Sequence, residues 1–161
     1  MITEKIKTLP ELKKIVTALK SKGKKIAFTN GCFDILHYGH AKYLEDAKKK
    51  ADVLIVAVNS DSSIRRIKGP SRPVVREQDR LRLIVALESV DYALLFNADT
   101  PFAVIKALKP DVLIKGADWD KNKIVGGDFV TSYGGTVSTV TLVPGRSTSS
   151  LIQEIIKRYT R

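Results

Sequence analysis

Both histidines of this 161-residue chain, His37 and His40, stand three positions apart with Gly39 between them. They close the stretch Asn30-Gly31-Cys32-Phe33-Asp34-Ile35-Leu36-His37-Tyr38-Gly39-His40. Gly31 and Gly39 let backbone come close to a ligand, because neither carries a Cβ. A helix opening near Tyr38 would present unpaired N–H groups and its positive dipole end, which together make an anion site. Imidazoles beside such a site donate hydrogen bonds to phosphate oxygens. On the plainer reading the two histidines are capping or surface residues, but their concentration in one connection favours the anion site. A second group, Gly145-Arg146-Ser147-Thr148-Ser149, places hydroxyls and an arginine ahead of a closing helix. Those hydroxyls read both as a helix cap and as phosphate donors. Arg65, Arg66, Lys68, Arg72, Arg76, Arg80 and Arg82 form a third group, interrupted by Gly69, Pro70 and Pro73. Those ahead of Glu77 are expected on a loop, where arginine suits phosphate oxygens.

These residues need elements to hold them, and hydrophobic periodicity supplies two alternating kinds. Pro10 to Ser21 spaces Leu12, Ile15, Val16 and Leu19 as a helix does. Lys25 to Asn30 is a short apolar run, and Val53 to Val58 is a nearly continuous one of the kind found in parallel strands buried on both faces. Helices are expected over His40 to Lys50, Glu77 to Ser89, Pro101 to Leu108 and Ser149 to Tyr159, with Thr100 capping the third. Further strands are expected over Ala93 to Phe96, Val112 to Ile114 and Thr136 to Val143. Strand–helix alternation implies βαβ units. The expected fold is therefore a single α/β domain, a Rossmann-like, doubly wound parallel sheet in three α/β/α layers. Residues 1–24 form a helical extension packed on a core domain of 25–161. Ligands in such sheets sit at the carboxyl ends of the strands, where the strand order reverses.

Composition narrows the classes. Lys and Arg number 28 against 17 acidic residues, a formal net charge of +11, while 43% hydrophobic and 28% charged residues suit a globular chain rather than a disordered tail. One cysteine excludes an internal disulfide framework, and with two histidines it makes a Cys/His zinc site untenable, so no protein-held metal is expected. The lysine-dotted start lacks the apolar run of a signal peptide, and no stretch reaches transmembrane length. A cytoplasmic protein without a membrane partner is the expectation. Aromatics at 7% do not interleave with the basic residues, so the charge favours a small anionic partner over nucleic acid.

Gly31-x-Phe33-Asp34-x-x-His37-x-Gly39-His40 closely resembles the signature of the HxGH nucleotidylyltransferase superfamily, and Ser147-Thr148 resembles its second motif. Thr29 to Asp34, Val58-Asn59-Ser60-Asp61, Lys68-Gly69-Pro70-x-Arg72-Pro73, Asp99-Thr100-Pro101 and Lys115-Gly116-x-Asp118 extend this toward the adenylyltransferases of ADP-heptose synthesis. The similarity runs from about Ile26 to Ile156 and leaves the first helix outside the shared core. It implies transfer of AMP from ATP to heptose 1-phosphate, with Mg2+ bridging the phosphates and few protein ligands on the ion. The activity is often fused to a sugar kinase; here the phosphorylated sugar is expected from another protein. A homodimer is implied as well.

The resemblance also assigns roles. His37 and His40 take the triphosphate and the charge developing at the α-phosphorus, with Lys68 as a cation bridging both substrates. Asn30, Gly31, Cys32, Phe33 and Gly39 shape the nucleotide pocket. Lys115, Gly116 and Asp118 line the ribose and base, while Arg146, Ser147, Thr148 and Ser149 hold the β- and γ-phosphates. Asn59, Asp61, Asp99 and Thr100 face the sugar phosphate. Asp34 either orients a histidine, contacts the sugar phosphate, or closes the loop as an Asx turn. Arg80 is either near the active site or a helix-surface charge. The related glycerol-3-phosphate cytidylyltransferases carry an arginine where Leu142 stands here, which favours ATP and leaves a cytidylyltransferase for glycerol 3-phosphate, or another small phosphate, as the alternative.

Overall fold

The computed structural model describes residues 2–120 and 123–160. Thr8 starts the first helix, α1 (Leu9–Ser21), through a reciprocal cap: Glu11 Oε2 accepts from the Thr8 N–H at 2.7 Å, and Thr8 Oγ1 accepts from the Glu11 N–H at 3.4 Å. The helix turns Leu12 and Val16 inward, both buried against the sheet. A short 3-10 turn, Ile2–Lys5, precedes it. The Lys5 ammonium donates to the Val90 carbonyl at 2.7 Å, and Ile6 bridges Ala93 in parallel. The segment from Lys5 through α1 therefore packs against the sheet instead of hanging from it.

Five strands follow: β1 (Ile26–Gly31), β2 (Val53–Asn59), β3 (Tyr92–Phe96), β4 (Val112–Gly116) and β5 (Thr136–Val140). All pair in parallel, in the order β3-β2-β1-β4-β5. Alternate residues feed opposite faces, as the two-residue period of a strand requires. Leu54, Val56 and Val58 point into one core with Tyr43, Leu44 and Ala47 of α2 (Tyr38–Lys48) and Leu81, Ile84 and Val85 of α4 (Glu77–Ala86). Val53, Ile55 and Ala57 point into the other, with α1 and with Val104, Ile105 and Leu108 of α5 (Phe102–Leu108). This is the expected Rossmann-like sheet between two helical layers.

Several boundaries move. Arg65, Arg66 and Lys68 lie on a helix, α3 (Asp61–Lys68), and not on a loop. Its Ser60 cap accepts from the Ser63 N–H at 3.1 Å, which an apolar-periodicity reading overlooks because Ile64 is the one large apolar side chain it buries. Pro101, not Thr100, occupies the cap position of α5, with no side-chain cap bond. Another helix, α6 (Gly127–Ser132), was not expected; α7 (Thr148–Tyr159) ends the described chain.

Candidate active site

Strand order reverses between β1 and β4, and in open parallel sheets the ligand cleft lies at this switch point, outside the carboxyl ends of the strands. Lys115 of β4 spans it, its ammonium donating to Asn30 Oδ1 at 2.5 Å. Burial pulls this lysine down to about 8, opposed by electrostatic coupling to the neighbouring Cys32 and Asp118. It also stands 5.5 Å from the centroid of the Trp119 ring. At Gly116 an added Cβ would come within 2.5 Å of Asp118 Oδ1 and 3.1 Å of Leu142, so the neighbouring walls of the cleft meet over bare backbone.

From β1 the chain turns through Cys32–Leu36 into α2, whose cap position is His37. No side chain caps this end. The His37 and His40 rings stack at 3.9 Å between centroids, and Phe33 meets His40 edge-on at 5.4 Å. Gly39 makes the stacking possible: a Cβ there would lie 2.9 Å from the His37 ring and 3.1 Å from Arg146. Both nitrogens of His37 and Nδ1 of His40 are shielded from solvent and have no hydrogen-bond partner among the described residues. Buried polar atoms are ordinarily satisfied, so three orphans at a helix N-terminus point to a missing acceptor or donor. Burial lowers His40 to about 4, helped by His37 and opposed by Asp34; burial and Arg146 lower His37. Both rings are thus neutral near pH 7, and each offers one N–H. An incoming polyanion stabilises their protonated forms.

The late motif reaches the same place. Thr148, the first residue of α7, donates its hydroxyl to the Asp34 carbonyl at 2.8 Å, so the two helix N-termini are tied to one loop. Ser147 caps α7 by accepting from the Ser150 N–H at 3.1 Å. Ser149 and Arg146 are exposed beside it.

Residues 28–155 match the cytidylyltransferase-like family, a span that takes in both histidines and the Ser-Thr segment. The chain belongs to that family of nucleotidyltransferases. This nucleotidyltransferase is 51% identical over 155 residues to the bifunctional protein HldE of Geobacter metallireducens, a match covering 96% of this chain and 32% of that protein. It therefore spans about a third of the length of the curated relatives it matches. The crystal structure of the lipopolysaccharide core biosynthesis protein from Thermoplasma volcanium is 33% identical, with a TM-score of 0.62 over 75% of this chain and 98% of that one. A pantoate-beta-alanine ligase from Francisella tularensis shares the fold, at a TM-score of 0.64 and 16% identity over 92% of this chain and 72% of its own. The family match begins at residue 28, beyond α1, yet 96% coverage by the first relative is too broad to leave α1 outside. The helix thus belongs to what these relatives share, contrary to the expectation from the motifs.

Other residues of the nucleotidyltransferase take positions that the sequence did not foretell. Arg80 is neither surface charge nor free to meet substrate: its side chain is fully buried, donating to Val75 O at 2.9 Å, Cys32 O at 2.5 Å and Asp61 Oδ1 at 2.8 Å. The Asp61 carboxylate is correspondingly engaged, and Asn59 donates to Ser63 Oγ at 3.0 Å while almost fully buried. All three are thus held by internal hydrogen bonds, and the bond from Arg80 to the Cys32 carbonyl puts its guanidinium beside the turn that leads to the histidines. Asp99 pairs with Arg66 Nε at 2.6 Å on an exposed loop, with Thr100 exposed beside it. Lys68 ends α3 exposed to solvent. Its charge, with those of Arg80 and Arg72, favours the Cys32 thiolate, although burial prevails and pushes that thiol up. Asp34 is 1% exposed and held by protein donors, so its carboxylate is not offered to a sugar phosphate. Arg72, which donates to it at 2.8 Å, is the site-adjacent residue that the assigned roles passed over. Its place in the arginine group, next to Pro73, was the available signal.

Proposed function

We propose that this nucleotidyltransferase transfers AMP from ATP to a sugar 1-phosphate, heptose 1-phosphate by the motif resemblance, giving ADP-heptose and pyrophosphate. The observation that carries the reading is the stacked pair of neutral, unpartnered imidazoles at the uncapped N-terminus of α2. A phosphate oxygen of the sugar attacks the α-phosphorus in line. The new P–O bond forms as the bond to the β-phosphate oxygen breaks, and the electron pair leaves with pyrophosphate. Such transfer asks the protein mainly to position reactants and stabilise charge. Imidazole N–H groups and the helix terminus serve the α-phosphorus, and the Ser147 and Ser149 hydroxyls, with the backbone N–H of Thr148 whose own hydroxyl is donated to Asp34, serve the β- and γ-phosphates. Asn30, Gly31, Cys32, Phe33, Lys115, Gly116 and Asp118 form the nucleoside cleft, and Lys68 and Arg146 supply positive charge at its edge. Mg2+ supplies charge neutralisation when bound. It prefers oxygen ligands and keeps its waters, so it suits a site where phosphates hold it; among the described residues no trio of His, Cys, Asp and Glu is gathered for a cation.

ADP-heptose is a precursor for lipopolysaccharide and other surface glycans, and this reading sets its synthesis in the cytoplasm; no described helix is long and apolar enough to cross a membrane. A homodimer completes the proposal, to be read by sedimentation equilibrium. The family's description favours one second reading, a cytidylyltransferase for glycerol 3-phosphate or another small phosphate. Against it, Leu142 lies against Gly116 where the cytidylyl enzymes carry an arginine.

Pyrophosphate release with magnesium, crossing ATP and CTP with heptose 1-phosphate and glycerol 3-phosphate, separates the two. Turnover confined to ATP and the heptose phosphate supports the proposal; turnover with CTP overturns the nucleotide assignment. His37→Ala should slow turnover by roughly 10²–10³, the usual loss for one oxyanion donor. An unchanged rate would remove the histidine from the mechanism.

A further inference from the structure

Asp34 holds together more of the molecule than a loop turn requires. Its carboxylate takes Arg72 Nε on Oδ2 at 2.8 Å, the Val74 N–H on both oxygens at 3.1 and 3.0 Å, and the Val75 N–H on Oδ1 at 2.9 Å. Its carbonyl accepts the Thr148 hydroxyl at 2.8 Å. The residues on either side, Phe33 and Ile35, have φ of +48° and +40°. Left-handed backbone is uncommon outside glycine and a clear outlier for a β-branched residue; it persists only where the surroundings over-determine it. Three segments therefore converge on one residue. They are the turn that ends in His37, the stretch from Arg72 to Val75, and the N-terminus of α7.

A buried carboxylate surrounded by donors makes no contact with an anionic substrate. What it can do is set distances. His37 lies three residues from Asp34, and Ser147 and Ser149 flank Thr148, so both phosphate-facing groups hang from the same anchor. A single triphosphate must touch both groups at once, which is possible only at one spacing. Misplacement by about 1 Å can cost on the order of 100-fold in such positioning. We propose that Asp34 is a positioning residue for the nucleotide, fixing the histidine turn, the Arg72–Val75 stretch and the α7 hydroxyls in one register. The inference rests on the nucleotidyl-transfer reading of the site but not on the identity of the acceptor.

The test compares wild type with Asp34→Asn, Arg72→Gln and the double variant. Calorimetric Kd for non-hydrolysable ATP and CTP analogues is measured alongside KM, kcat and the melting temperature. An asparagine keeps one acceptor oxygen for the amides but cannot accept from Arg72 Nε through its NH2 group. Each single variant should raise nucleotide Kd and KM about tenfold or more and lower kcat as well. The double variant should be no worse than the poorer single, because both break one connection. Lower melting with unchanged Kd and KM would show a turn that is merely structural and would overturn the proposal; so would multiplicative effects in the double. If Asp34→Asn does not fold, Arg72→Gln decides on the same criteria, since Arg72 lies nearer the surface. Wild type that binds an analogue but turns over neither acceptor overturns the acceptor assignment alone, and the Kd comparison still judges Asp34.

Discussion

A histidine that stays neutral because it is buried is a liability in acid, and His40 shows how large. Its pKa of about 4 lies below the 6.5 of an unstrained imidazole, chiefly through burial. Between those values the unfolded chain binds more protons than the folded one, so stability rises with pH across the window and falls as pH drops from 6.5 toward 4. The full contribution is about 3 kcal/mol, present above pH 6.5. Denaturant melts of wild type should therefore steepen in pH dependence between 6.5 and 4.5, and His40→Asn should flatten that slope. Parallel slopes for the two proteins would show that the ring is solvated. The histidines were legible in the sequence because rare residue types were concentrated beside glycines. Arg80 was less so. Its charge suggests solvent, yet it stands next to Leu81 and one turn before Ile84, on the face of α4 that is buried. Helical position overrides charge when carbonyls and a carboxylate await the guanidinium.

Among the elements, those with apolar stripes and caps were readable, and those held by polar groups were not. The α1 helix combined a reciprocal cap with Leu12 and Val16 one turn apart, and its extent differs from the expected one by a single residue. By contrast, α3 is Asp-Ser-Ser-Ile-Arg-Arg-Ile-Lys, whose two isoleucines are too few to mark a helix by periodicity; besides the buried Ile64 it is held by the Ser60 cap and contacts such as Ser63 Oγ to Ala98 O at 2.9 Å. Cross-chain bonds of that kind have no local signal. What periodicity could not say about α1 is how firmly it belongs to the sheet. Leu12 is fully buried among Ile26, Phe28 and Leu108, a core position. Leu12→Ala should cost about 2–5 kcal/mol. In a chain of this size that lowers Tm by roughly 5–15 °C. A calorimetric change under about 2 °C would mean that α1 is a detachable extension.

Across the whole molecule the +11 charge and the site are separate matters. Many lysines are locally paired: Lys20 with Asp111, Lys42 with Asp46, Lys48 with Asp91, Lys49 with Glu45. In the proposed reading the site relies on neutral imidazoles, hydroxyls and helix termini, with Lys68 and Arg146 supplying charge at its edge. Two partners would respond to salt quite differently. A nucleotide carries few phosphates into a partly desolvated cleft, where screening is weak, so its KM should rise less than about tenfold between 50 and 200 mM salt. A nucleic-acid footprint making 6–10 phosphate contacts would lose about 10³–10⁵ in affinity over that range. Anisotropy of a labelled oligonucleotide, measured beside nucleotide KM over the same salt series, distinguishes them. Oligonucleotide binding in the micromolar range at 200 mM salt, indifferent to His37→Ala, would assign the basic surface a second function. Loss of oligonucleotide binding by 200 mM, with nucleotide KM nearly constant, would leave the lysines as a solvated surface. The cleft between β1 and β4 would then be the place where this charge distribution meets its ligand.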